Sequence, residues 1–327
     1  MKFAGKLFAI ALVSATLPLL TSCERHSASE KYYLVSANVR LPYWQTAYAG
    51  FGQAASDQGV KGQLMGPDTY DPAAQVKEFR AAVAEKPAGI LVSVADPKLM
   101  TPEIDSAIAA GIPVITMDSD APDSKRLFFI GTNNLQLGRL GGQTLVKALN
   151  GKGNVVFFTM PGQPNLDERL KGYMDVLGEH TGIRLADTID IRGDSRVAFD
   201  KTAAMVGKTG ADKIDAFVCL EASSGKDVAE AVKRGNATGR VIIAMDTDND
   251  TLKLVKDGTI AATIAQKPWT MAYIGLERLA DIEAAKTKKI GGNYASDPHS
   301  PYPVFVDTGT TLVDKSNVDQ FLNASGQ

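Results

Sequence analysis

Four short apolar runs, "ILVSV", "VITM", "VVFF" and "VIIAM", constrain this chain more than any other feature. Each is four or five residues long, lacks the polar alternation of a half-solvated strand, and is followed by a longer stretch with apolar residues at helical spacing. Continuous apolar runs of this length suit strands buried on both faces, which is the situation inside a parallel sheet. The same rhythm continues along the chain. Strands are expected at "YYLVSANV", "QLMGP", "AGILVSV", "IPVITMD", "LFFIGT", "NVVFFTM", "ADTIDI", "AFVCL", "RVIIAMD" and "IAATIAQ". Helices are expected over 42–58, 71–86, 97–110, 135–149, 166–179, 196–209, 226–234, 251–256 and 269–285, followed by a tail. Asp71 before Pro72 gives one helix an N-cap and a preset first turn, and Gly111 ends another. Alternating strands and helices make an α/β fold with helices on both faces of parallel sheets. There are too many strands for one comfortable sheet, so the natural division is into two similar lobes.

The N-terminus is set apart from this pattern. Lys2 and Lys6 precede the apolar run "LFAIALVSATLPLL", which leads to "LTSC" at Leu20–Cys23. A basic start, an apolar segment too short to span a bilayer comfortably, and small residues before a cut describe an export signal. The tetrapeptide resembles a bacterial lipobox, which implies cleavage before Cys23 and lipid on that cysteine. The 23–30 segment, containing "ERHSASE", is short and polar and is expected to be a flexible tether. Removing the first 22 residues leaves 305 and, with Lys2 and Lys6 gone, takes the formal charge from −2 to −4. A weakly acidic chain with no basic block argues against nucleic acid as a partner.

Side-chain chemistry excludes further classes. With Cys23 lipidated, Cys219 in "AFVCL" is alone, so no disulfide framework exists, and it reads as a small buried hydrophobe. His26, His180 and His299 are scattered without metal-ligand spacing and read as surface residues. There is no HExxH, CxxC, P-loop or GxSxG. The "GRLGG" run at Gly138–Gly142 lies inside a helical pattern and does not follow a strand in the dinucleotide-binding manner. No cofactor or metal is expected.

Polar groups cluster instead at strand ends, where open parallel sheets bind ligands. "PVITMDSD" ends in Asp118, Ser119 and Asp120. "VVFFTM" leads into "PGQPNLDER", with Asn165 and Arg169 four apart at a helix start. "AFVCL" leads to Glu221, "VIIAMD" ends in Asp246, and "IAATIAQ" ends in Gln266 two residues before a proline. The first strand leads to Tyr43 and Trp44. Carboxylates and amides suit vicinal hydroxyls, arginine adds a rigid donor fork, and aromatic faces cover the C–H surface of a sugar ring. The set describes a carbohydrate pocket.

The segments "PYWQTAYAGFGQAASDQG", "AGILVSVADP", "AAGIPVITMDSD", "IGTNNLQLGRLGG", "DERLKGYMDVL", "VIIAMDTD" and "DGTIAATIAQKPWTMAYIG" together resemble the ribose-binding-type periplasmic sugar-binding proteins of ABC transporters, whose core is shared with LacI-type repressors. The likeness covers nearly all of 32–313. It implies a type I periplasmic binding protein fold: two Rossmann-like lobes joined by a three-segment hinge, with ligand in the cleft and closure reported to a membrane permease. Lobe one would span 31–132 plus 267–305, and lobe two 133–266 plus 306–327. The family's stacking aromatics fall on Tyr43 and Trp44, its first aspartate on Asp118, its helix-opening arginine on Arg169 with Asn165 before it, its second aspartate on Asp246, and its hinge glutamine on Gln266. Three places depart from the pattern, the first being Leu41 and Pro42, where asparagine is common before the aromatic pair. Ser119 stands where arginine is frequent, and Glu221 stands where asparagine is usual. Together these departures put ribose itself in doubt and leave room for another sugar, a polyol or an aminosugar-like amine. The implied protein is exported to the periplasm or cell surface, held to a membrane by the lipid on Cys23, and is not an enzyme. Three other readings compete. A glycoside hydrolase could use Asp118, Glu221 and Asp246, but binding already accounts for those acids. A transcriptional regulator would need a helix-turn-helix headpiece where the export signal stands. A sensor would report to a chemoreceptor or sensor kinase.

Overall fold

The computed structural model describes residues 25–285, 293, 294 and 296–324. The expected export signal and Cys23 lie outside them. The chain begins β1 (Lys31–Val35), α1 (Pro42–Gln58), β2 (Lys61–Met65), α2 (Pro72–Ala84), β3 (Gly89–Val92), α3 (Pro97–Ala109), β4 (Val114–Met117) and β5 (Phe129–Gly131). It continues with α4 (Asn134–Ala148), β6 (Gly153–Thr159), α5 (Pro164–Leu177), β7 (Ile183–Asp190), α6 (Ser195–Met205), β8 (Ala216–Cys219), α7 (Ser224–Arg234), β9 (Val241–Met245), α8 (Asn249–Asp257) and β10 (Ala262–Ala265). Then come α9 (Pro268–Ala284), β11 (Phe305–Asp307), β12 (Thr311–Val313) and α10 (Val318–Ala324).

These strands form two six-stranded sheets with one shared plan. The first has the order β11-β5-β4-β3-β1-β2 and the second β12-β10-β9-β8-β6-β7. All pairs are parallel except β12 on β10. The apolar runs occupy the sheet centres. Ile90, Leu91, Val114, Ile115, Val155, Phe157, Ile242 and Ile243 are fully buried. Burying one such side chain is worth about 1.5–3 kcal/mol.

The chain passes between the sheets three times: at 132–133 between β5 and α4, at 266–267 between β10 and α9, and at 308–310 between β11 and β12. The last passage falls later than the sequence suggests, because β11 pairs with β5 through Asp307. The tail after α9 also holds two strands that periodicity does not reveal. Each has three residues and lies at a sheet edge, so neither carries an apolar run. Residues 25–30 are not a free tether. His26 is buried with its Nδ1 3.0 Å from Glu30 Oε2, and Arg25 pairs with Asp281 at 2.8 Å.

The "GRLGG" run has a packing role. A Cβ on Gly138 would stand 2.1 Å from the carbonyl oxygen of Arg169, so α4 and α5 approach closely enough there to require glycine. This contact fixes the first turns of α5, and with them the backbone of Asn165 and Arg169. Among the described residues, no helix is long and apolar enough to cross a membrane.

Candidate functional site

The carboxyl ends of the two sheets face one another across a cavity of about 380 Å³. That size lies within the usual range for small-molecule sites. Tyr43, Trp44, Asp118, Asn165, Arg169, Glu221, Asp246 and Gln266 all line it. Ser119 does not. It is fully buried behind Asp118, and its hydroxyl has no hydrogen-bond partner.

Asp118 and Asp246 occupy matching places. Asp118 follows β4 and donates its N–H to the carbonyl of Ile130, the middle residue of β5, at 3.0 Å. Asp246 follows β9 and donates to the carbonyl of Ile264 in β10, also at 3.0 Å. Both adopt left-handed backbone, with φ of 62° and 64°. Only glycine enters that region freely, and Asp is among the few side chains that tolerate it. Backbone held there concentrates at functional sites. Ser119 is drawn back into the protein by the same turn: its N–H donates to the carbonyl of Met117 at 2.6 Å and its carbonyl accepts from the N–H of Val94 at 3.0 Å.

Each carboxylate has its own partners. Asp118 accepts from Tyr43 Oη at 2.9 Å, Ser93 Oγ at 3.1 Å and Asn165 Nδ2 at 3.3 Å. Asp246 accepts from Gln266 Nε2 at 3.1 Å. Arg169 is 2% exposed yet forms no direct ion pair among the described residues. It donates from Nε to Asn134 Oδ1 at 2.9 Å, from Nη1 to the Leu220 carbonyl at 2.8 Å and from Nη2 to Gln266 Oε1 at 2.9 Å. Three of its five N–H donors are thereby used, and two remain on a group that borders the cavity. Gln266 also accepts from Thr132 Oγ1 at 3.0 Å, so two of the three inter-sheet passages meet at its amide.

Burial pushes the carboxyl of Asp246 up to about 7. Arg169 and Gln266 pull it down, while Asp118 and Glu221 add to the rise. Burial also raises Asp118, against the pull of Arg169 and of the bonds from Tyr43, Ser93 and Asn165. The Tyr43 phenol is pushed well above its ordinary value by burial and then by Asp118 and Asp246. A ligand that brings O–H or N–H groups would supply the polar contacts that burial takes from these two carboxyls.

Glu221 is differently employed. Its oxygens accept from the N–H and hydroxyl of Ser223, both at 2.6 Å, from the N–H of Ser224 at 2.8 Å, and from the Ser224 hydroxyl. The carboxylate therefore fixes the start of α7, where an acid also complements the helix dipole. Trp44 is buried and meets Tyr43 edge-on, with centroids 5.0 Å apart at 80°. Sequence reasoning missed Ser93, Thr132 and Asn134, which orient Asp118, Gln266 and Arg169. Ser93 carried a visible signal, as the polar member of the buried run "ILVSV". Among the described residues, no group of His, Cys, Asp and Glu could hold a metal ion.

Residues 32–287 match the family model described as "Periplasmic binding protein domain". The chain belongs to the periplasmic binding protein family. Such a protein is exported to the periplasm or cell surface. Among solved structures, this periplasmic binding protein is similar to AraP, an arabinose-binding protein from Geobacillus stearothermophilus. The two are 33% identical, with 90% of this chain and 99% of that one covered at a TM-score of 0.73. It is equally 33% identical to a sugar-binding protein of a sugar ABC transporter from Bacillus halodurans, covering 90% and 100% at a TM-score of 0.76. Among curated relatives, it is 25% identical over 281 residues to the xylose/arabinose-binding protein XylF of Sulfolobus acidocaldarius. That match takes in 80% of this chain but only 65% of the longer relative. It is 22% identical over 291 residues to the ribose import binding protein RbsB of Bacillus subtilis, covering 83% and 91%. All four are named for binding, not for catalysis. The fold is the type I form, with two mainly parallel sheets flanked by helices.

Proposed function

We propose that this chain is the solute-binding component of an ABC importer, and that it captures a monosaccharide or a similar polyol between its lobes. The observation that carries this reading is the pairing of Asp118 and Asp246. They are buried acceptors at matching strand ends of two sheets, with Arg169 between them. Hydroxyls of one ring can donate to both carboxylates, and the two remaining N–H groups of Arg169 can bond a ring or hydroxyl oxygen. Asn165 and Gln266 supply further amide contacts, and Tyr43 and Trp44 provide aromatic surface for the C–H face of the ring. Glu221 acts chiefly by fixing the rim at α7, and Ser119 by supporting the turn beneath Asp118. Ligand touches both lobes only when they are closed, so it shifts the population toward the closed form by its differential affinity. The three inter-sheet passages are the hinge, a motion known for periplasmic binding proteins. The closed form is what a permease would recognise. Cleavage before Cys23 and lipid on that residue would hold the protein at the membrane.

A thermal-shift panel of pentoses, hexoses, aminosugars, inositols and other polyols tests the reading. Binding to the native state alone raises stability by about 2.7 kcal/mol at a hundredfold excess over Kd. One sugar or polyol with a strong shift is the expected result. Silence across the panel, in protein shown to be folded and ligand-free, would remove the sugar assignment.

A further inference from the structure

The three inter-sheet passages adjoin β5, β10, β11 and β12, which stand at one end of the two strand orders. β2 and β7 stand at the other end. A hinge at one edge moves the opposite edge furthest, so a contact between the β2 and β7 sides acts on opening with the longest lever.

Tyr70 and Gly193 make that contact. Tyr70 follows β2 in the turn before α2, and Gly193 follows β7 in the turn before α6. A Cβ on Gly193 would stand 2.4 Å from the Cβ of Tyr70 and 3.0 Å from its Cγ, so bare glycine backbone lies against the tyrosine. Both residues line the first cavity. Each side of the contact is held firmly by its own lobe. Tyr70 donates its hydroxyl to the Ala95 carbonyl at 3.1 Å. Across from it, the N–H of Ile191 donates to the Thr159 carbonyl and the N–H of Asp194 to the Ile191 carbonyl, both at 2.9 Å. Arg192 and Gly193 are successive left-handed residues, with φ of 52° and 75°. Glycine at 193 thus meets two demands at once, the backbone of the turn and the approach of Tyr70.

We propose that Tyr70 and Gly193 form a clasp, made only when the lobes close, that sets how long a bound sugar stays. This rests on the lobe-closure reading above and extends it. Opening must break the contact before sugar can leave. Sugar enters the open form, in which the contact is absent. The clasp therefore slows dissociation and leaves association nearly unchanged. Both are positioning residues, acting through the lobes.

Paired cysteines test the clasp. With Cys23→Ser, Tyr70→Cys and Gly193→Cys in the purified chain, the buried Cys219 is the one other thiol. A disulfide requires Cβ atoms about 3.5–4.5 Å apart, so the bridge reports lobes that have met. The probes are L-arabinose, D-xylose, D-glucose and D-galactose. Under mild oxidation, a probe that binds is expected to speed bridging about fivefold or more, and bound sugar should then exchange with labelled sugar only after reduction. Tyr70→Ala, which spares the turn at Gly193, should raise the dissociation rate about tenfold while the association rate, read by stopped flow, stays within about threefold. The clasp is overturned if the folded double-cysteine protein never bridges, if bridging proceeds at one rate with and without a bound probe, or if Tyr70→Ala leaves dissociation unchanged. If no probe binds, the sugar assignment falls separately, and bridging of the ligand-free protein still decides: its occurrence upholds the contact and its failure overturns the clasp.

Discussion

Asn165 of α5 donates to Asp118 at the end of β4 across 3.3 Å, joining one lobe directly to the other. The bond links a group fixed by the α4–α5 contact to a carboxylate held in left-handed backbone. The cleft is therefore described in a drawn-together form, with its acceptors already aimed.

The backbone and the charge of Asp118 can be separated. Asn tolerates left-handed φ and keeps the shape, so Asp118→Asn should fold with nearly unchanged stability while weakening sugar binding a hundredfold or more, about 3 kcal/mol. Asp118→Ala adds a strain of about 1–2 kcal/mol to that loss. Chemical denaturation and calorimetric titration read the two effects independently. Wild-type affinity in folded Asp118→Asn would reject the pocket assignment.

Ionisation of Asp246 sets a pH trend with an unusual direction. Its carboxyl titrates near 7 in the folded protein, against an ordinary 3.8, so between these values the native state holds a proton that the unfolded chain has released. Stability of the ligand-free protein from this group is thus full below about pH 4 and is lost as pH rises through 7. The melting temperature of Asp246→Asn relative to wild type should increase from pH 5 to about pH 7 and level off above it. A ligand that donates to the ionised carboxylate lowers its pKa, so binding should strengthen with pH over the same window and release protons. Titrations in buffers of different ionisation enthalpy would detect that release.

Gln266 contributes through others. It accepts from Thr132 and Arg169 and donates to Asp246. Gln266→Ala should weaken binding about tenfold, less than Asp118→Asn, because Arg169 keeps its bonds to Asn134 and Leu220. A loss equal to that of Asp118→Asn, measured by the same titration, would place Gln266 among the primary ligand contacts.

Two glycines should respond in opposite ways to a methyl group. Gly138→Ala drives a Cβ into the Arg169 carbonyl and should cost about 1–3 kcal/mol, with reduced affinity as α5 shifts. Gly52→Ala meets nothing within 4 Å inside α1 and should stabilise by about 0.5–1 kcal/mol, with binding unchanged. Equal melting temperatures for the two variants would contradict the packing account.

Most of the architecture was legible in the sequence because parallel strands buried on both faces leave unbroken apolar runs, as at Val114–Met117 and Val241–Met245. β11 and β12 were not legible, since a three-residue edge strand carries no period and is specified by its neighbour. The same limit governs the site. Polar residues at the ends of buried strands pointed to Asp118, Asp246 and Gln266, because position alone brings strand ends together. Ser119 misled for a geometric reason: the tight turn at Asp118 ties its backbone to Met117 and Val94, and spacing cannot show a turn. Glu221 was found at the cleft, but its occupation by Ser223 and Ser224 depends on a local turn. The glycines at 138–142 were visible without their purpose, which became clear only once α5 lay against them.

The matched aspartates of the two sheets make the cleft a pair of jaws carrying the same tool. Neither jaw alone encloses a ring, so each offers only a weak grip, and tight capture arises as in a chelate, where the first contact raises the effective concentration of the second. Such a clamp lets go without any change in its chemistry. Prising the jaws apart would turn one strong bond into two feeble ones, and the cargo would escape from a surface that has lost nothing but its partner.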